Sequence, residues 1–151
     1  MMKATFLAAT IAATATIATA GDNGLMRKDS ALGVTETVDA MVTAMEAAGI
    51  TIFARVDHGA GAASIGEDVG DMQLVIFGNP KVGTPAIKDD PAAGLYLPLK
   101  VLVYEDAMGT TKIVYEEPSD MLGDLGGVPS DAAYLNVMAG ALKRFTDAAT
   151  N

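Results

Sequence analysis

The change of hydrophobic period along this chain most narrows what it can fold into, because two long helix-period stripes enclose a series of strand-like segments. In the first stripe Val38, Met41, Val42 and Met45 follow the i, i+3, i+4, i+7 spacing of one buried face. This predicts a helix from about Glu36 to Ala48, with Thr35 as N-cap and Gly49 just past its end. The second stripe, Tyr134, Val137, Met138, Ala141, Leu142 and Phe145, predicts a last helix that Ser130 caps. Ile50 to Asp57 alternates, with Ile50, Ile52, Ala54 and Val56 on one face, so it reads as a half-buried strand. Gln73 to Phe77 is nearly continuously apolar and reads as a central strand covered on both faces.

Leu99 to Glu105 and Thr111 to Tyr115 flank Asp106 to Thr110 as a hairpin, with Gly109 supplying the permissive backbone. Leu25 to Lys28 is short enough for an edge strand. Gly59 to Gly66 reads as a short helix, Lys81 to Asp90 as a loop with one helical turn, Pro91 to Pro98 as a connection and Pro118 as the start of a short helical turn. These segments predict an α+β domain: a two-layer sandwich of a four- to five-stranded sheet and two main amphipathic helices.

Residues 1 to 20 have the order of an export signal: Lys3, an apolar run from Phe6 to Ile17, then the small-residue site Ala18-Thr19-Ala20. The mature chain is expected to begin near Gly21 and to form one domain over residues 21–151, without stable membrane insertion after cleavage. The periplasm is the expected compartment, with secretion as the alternative. The net charge of −9 disfavours nucleic acid and anionic membrane surfaces. With no cysteine, stability must come from the core, and thiolate-zinc, iron–sulfur and thiol-redox chemistry are excluded.

The motifs that carry familiar chemistries fail in detail. Gly78-Asn79-Pro80-Lys81-Val82-Gly83-Thr84 has the outer glycines of a phosphate loop, but no lysine stands between Gly83 and Thr84, and Pro80 removes a backbone donor. Gly59 and Gly61 follow a strand, yet Ser64 occupies the third position of a dinucleotide fingerprint. Ser64 also misses the spacing of a nucleophile elbow. The acidic groups, among them Glu67, Asp68 and Asp71, show no calcium-loop spacing and read as solvated faces. The methionines of the first stripe read as core packing.

His58 is the only histidine, at the end of a strand beside a small-residue turn. It is either a hydrogen-bonded structural residue or a functional one: an axial ligand to haem, part of a copper site with a methionine or carboxylate, or a general base. One histidine cannot close a metal site by itself. In a two-fold dimer, two copies of His58 can face one shared ligand.

Three blocks, R-V-D-H-G-A-G-A from Arg55, L-V-I-F-G-N-P-K-V-G-T-P from Leu74, and L-P-L-K-V-L-V-Y-E-D from Leu97, resemble the signature blocks of the DUF302 family of uncharacterised bacterial domains. The resemblance implies a compact α+β domain that pairs into homodimers. It also implies that any site lies near Arg55, the Asp57-His58 turn and the Asn79-Pro80-Lys81 loop. It carries no activity. The expected role is therefore an exported domain that binds a small or flat ligand, haem or a metal through His58 being one form of it. The alternative is an enzyme with His58 as base.

Overall fold

The computed structural model describes residues 19–20 and 24–151. All but the last two residues of the expected export signal lie outside that range. The elements are β1 (Thr19–Ala20), β2 (Leu25–Ser30), α1 (Val34–Ala47), β3 (Thr51–Asp57), α2 (His58–Ala63), β4 (Met72–Gly78), α3 (Pro80–Asp89), α4 (Ala93–Tyr96), β5 (Leu99–Glu105), β6 (Thr111–Glu116), α5 (Pro118–Gly123) and α6 (Ala133–Asp147). The strands form one sheet in the order β1-β2-β6-β5-β4-β3, antiparallel throughout. Five of them are of ordinary length, and β1 adds two residues beyond β2. The α+β sandwich expected from the sequence is what the chain forms, with the β5–β6 hairpin turning at Gly109 (φ +78°).

The core lies between one face of the sheet and the helices. Val75 and Phe77 of β4, Leu99, Val101 and Val103 of β5, and Ile113 and Tyr115 of β6 meet Val38, Met41 and Met45 of α1 and Leu135, Met138, Leu142 and Phe145 of α6. Phe77 and Phe145 meet edge to face, with ring centroids 6.1 Å apart. The helix stripes read from the sequence thus pack into the core, except that Val137 remains exposed and Leu135, outside the stripe, is buried. α1 stops where Gly49 takes φ +71°, its N–H donating to the Glu46 carbonyl while Ile50 N–H returns to Met45.

One buried charge fastens α6 to the far edge of the sheet. Lys28 of β2, only 2% exposed, donates to Thr146 Oγ1 (2.7 Å) and to the Asp147 carboxylate near the end of α6. On the same side Thr37 of α1 donates to Ser30 Oγ, which donates to the Ala149 carbonyl. Among the described residues every buried side-chain nitrogen and oxygen has a hydrogen-bond partner.

Several elements depart from the sequence reading. Thr35 is not the cap of α1; Gly33 is, and Thr35 instead accepts a hydrogen bond from Gln73. α6 begins after Ala132 with no side-chain cap, so Ser130 does not serve it. Lys81 to Asp90 is a helix rather than a loop. Asn79 caps it and Pro80 opens it, and Pro85 inside it forgoes only its own bond. β3 does not alternate to its end, because its register on β4 shifts between Ile52 and Ala54. Ile52 pairs with Phe77 on the helix side, whereas Ala54 and Val56 pair with Ile76 and Leu74 on the open side.

Among the described residues, helices cover β4 on one face only. Gln73, Val75 and Phe77 are buried, while Met72, Leu74 and Ile76 are half-buried and lie outside the core. Across this open face run four residues in register, Val56, Leu74, Leu102 and Val114.

Candidate functional site

The five residues singled out in the sequence separate into two places. β3 and β4 are antiparallel, so Asp57 lies opposite Gln73 and Thr51 opposite Gly78. The Asp57-His58 turn and the Asn79-Lys81 segment therefore stand at opposite ends of the pair, about 17 Å apart along β4 at ~3.4 Å per residue.

At the first end, three residues have local structural tasks or none. Asp57 caps α2, its Oδ1 accepting from Ala60 N–H at 2.8 Å. Arg55 faces the helix side, where its Nε donates to Gln73 (2.6 Å) and its guanidinium pairs with Asp39 of α1. His58 opens α2 with an exposed side chain, and among the described residues nothing is hydrogen-bonded to its imidazole. Among the described residues no group of three or more His, Cys, Asp or Glu side chains is placed to hold a metal ion.

At the second end, which the resemblance marked through Asn79-Pro80-Lys81, the structure adds a concave apolar surface that the sequence did not show. Between α3, α6 and the Gly78 end of the sheet lies an open cavity of about 440 Å³. Phe77, Leu99, Met138 and Phe145 form its floor. Val82, Gly83 and Ile87 of α3 make one wall, and Val137 and Ala141 of α6 the other. Phe53 and Pro98 close the remaining side; a Cβ on Gly78 would stand 3.4 Å from the Phe53 ring and 3.5 Å from Pro98, so glycine gives both room to approach. Three apolar side chains at the mouth remain open to solvent: Phe53 (54%), Val137 (53%) and Ile87 (39%).

Among the described residues no titratable side chain lines this space. Its polar atoms come from Asn79, Thr84 and the backbone, and Asn79 is already committed as the cap of α3, accepting from Lys81 N–H at 2.9 Å. Such a surface can bind by excluding water from an apolar body. Just outside, Asp89 accepts a hydrogen bond from the Tyr134 hydroxyl (2.9 Å). Removal from water, and then the bond and charge of Asp89, push the Tyr134 phenol up to about 12.

An antiparallel sheet with helices on one face, an apolar cavity under one end and a bare second face defines an open-faced α+β sandwich. The chain belongs to the DUF302 family: the model of that family, described as a domain of unknown function, matches residues 26–148. A solved structure of an uncharacterised conserved DUF302 protein from Bacillus stearothermophilus superposes with a TM-score of 0.73, covering 83% of this chain and 97% of that one. At 21% identity that likeness establishes a shared fold.

Among curated proteins, 98 residues of this chain are 37% identical to a part of the fluoride-specific ion channel FluC 1 of Brucella suis and of FluC 1 of Brucella abortus. The match takes in 65% of this chain but only 39% and 36% of those proteins. The chain thus spans under two fifths of the length of these relatives. Among its described residues no helix is long and apolar enough to cross a membrane.

Proposed function

We propose that this chain is a small-ligand-binding domain whose site is the apolar cavity between α3 and α6. The cavity itself carries the reading. Its volume falls within the range of about 300–1,000 Å³ usual for small-molecule sites. Its exposed apolar mouth is the kind of surface a soluble protein keeps for a partner or ligand. A binding role is favoured over an enzymatic one because, among the described residues, no titratable side chain lines the space. The general-base alternative would have to operate at His58, at the opposite end of β3.

A neutral fluorescent probe, N-phenyl-1-naphthylamine, tests this. Saturable enhancement is expected with the wild-type protein. Ala141→Phe or Val137→Trp, each filling the cavity from α6, should weaken it by about tenfold, or roughly 1.4 kcal/mol. A wild-type protein that gives no saturable signal would remove the reading.

The domain is exported and pairs with a second copy in this proposal. Cleavage after Ala20 would give an intact mass that starts at Gly21; a full-length chain recovered from the membrane would contradict it. Pairing is supported by the open face of the sheet. Val56, Leu74, Ile76, Leu102 and Val114 are apolar where a solvated antiparallel sheet normally carries polar residues. The charges on that face are satisfied within one chain, Lys112 pairing with Asp29 and Lys100 donating to the Tyr96 carbonyl, so a two-fold contact would rest on the apolar row.

A further inference from the structure

The chemical class of the cavity's occupant can be read from the outer surface of α3, a step that rests on the binding reading above. Beside the cavity is a second, shallower depression lined by Pro80, Lys81, Thr84, Pro85, Lys88 and Asp89. The two share Pro80 and Thr84, which form a lip between them. Lys81 and Lys88 are seven residues apart on one helix and so project from the same side of it.

Their charge is unused within the fold. Lys28 and Lys143 pair with Asp147, Lys112 with Asp29 and Asp106, and Arg55 with Asp39. Lys100 donates to the Tyr96 carbonyl, and Arg144 lies over the Phe145 ring. Lys81 and Lys88 have no such partner among the described residues, although the chain as a whole has 19 acidic side chains against 10 basic ones. The acidic neighbour in the depression, Asp89, is held by Tyr134. An apolar cavity therefore opens, over a lip carrying the Thr84 hydroxyl, onto two unneutralised cations in a protein that is otherwise strongly acidic.

We propose that the cavity takes an anionic single-chain amphiphile, a fatty-acid-like carboxylate. Its tail lies between α3 and α6, and its head crosses the Pro80–Thr84 lip to Lys81 and Lys88. The apolar lining selects the tail without regard to its identity. The lysines select the sign of the head, and a cationic head of equal length meets repulsion there.

Calorimetric titration of the protein with dodecanoate, dodecanol and dodecyltrimethylammonium, each below its micelle concentration, separates the two parts. Dodecanoate is expected to bind about three- to tenfold more tightly than dodecanol at low salt, the weight of one or two exposed ion pairs. The cation should bind most weakly. In the double variant Lys81→Gln/Lys88→Gln the preference for the acid should vanish while the affinity for dodecanol stays. Both lysines are exposed, so the variant should keep its fold. Equal binding of acid and alcohol by the wild-type protein, or a double variant that retains the preference, would overturn the anionic head while leaving the cavity reading intact. Failure of all three probes to bind would overturn both.

Discussion

Polar residues at strand ends attract functional readings, and here they mostly hold helices. Asp57 and Asn79 look alike in the sequence, each following an apolar strand and preceding small residues or proline. Each spends its side chain on the first turn of the next helix. Nothing in a single sequence separates a carboxylate that caps from one that catalyses, because both need a strand end and an open turn. His58 illustrates the other direction: its uniqueness was legible, its solvent exposure was not. Since it faces solvent at the far end of β3 from the cavity, His58→Ala should change stability by no more than about 0.5 kcal/mol. It should also leave probe binding in the cavity unaltered, as melting and fluorescence titration of one sample will show. Loss of a copper- or haem-induced absorption band in that variant would instead return His58 to a functional role.

The charge most consequential for stability is Asp147. Partial burial works against its ionised form, but hydrogen bonds from Lys143 and Lys28, with their charges, hold its carboxyl below the ordinary 3.8. A carboxylate lowered in the folded state stabilises it at neutral pH, and that contribution is lost as pH falls from about 4 through the lower folded value. Asp147→Asn should therefore flatten the acid limb of the stability curve below about pH 4. It should also cost roughly 1–3 kcal/mol at pH 7, since Lys28 remains buried with less to pair with. Urea melts of both proteins across pH 2.5–7 measure both effects.

Among the elements, those with unbroken apolar period were legible and those punctuated by proline or glycine were not. α1 and α6 have stripes that survive any local detail. α3 contains Gly83 and Pro85, which read as breakers, yet the Asn79 cap and Pro80 at its first turn establish the helix before Pro85 arrives. One missing donor does not end a helix already packed through Ala86. Asn79→Ala should consequently weaken α3 by about 1 kcal/mol. Because α3 is a cavity wall, the same variant should weaken probe binding, whereas Asp57→Ala should lower stability alone. The irregularity in β3 has no marker either. The residues from Ile50 to Asp57 alternate cleanly, and the register shift after Ile52 reverses which of them meet the core. That shift is what frees Phe53 for the cavity mouth, so the site depends on a feature that alternation conceals.

For the molecule as a whole, composition and patterning led to the right architecture but not to its asymmetry. An apolar run such as Gln73 to Phe77 implies cover on both faces, and the described residues supply only one. If a second copy supplies the other, Leu102→Glu, at the centre of the open row, should convert a dimer to a monomer by light scattering at micromolar concentration. It should do so with little change in helix content. A wild-type mass equal to one chain would exclude pairing, since a stable association needs on the order of 1,000 Å² of buried surface.

The Lys28 anchor gives α6 a double engagement. Its Val137–Ala141 portion lines the cavity, and its Thr146–Asp147 end is bolted to β2 at the other margin of the sheet. The helix is a beam that runs from the cavity wall to the opposite margin of the sheet. If the proposed ligand stiffens α6, the same free energy appears as protection of β2, and loosening β2 weakens the ligand's hold in equal measure.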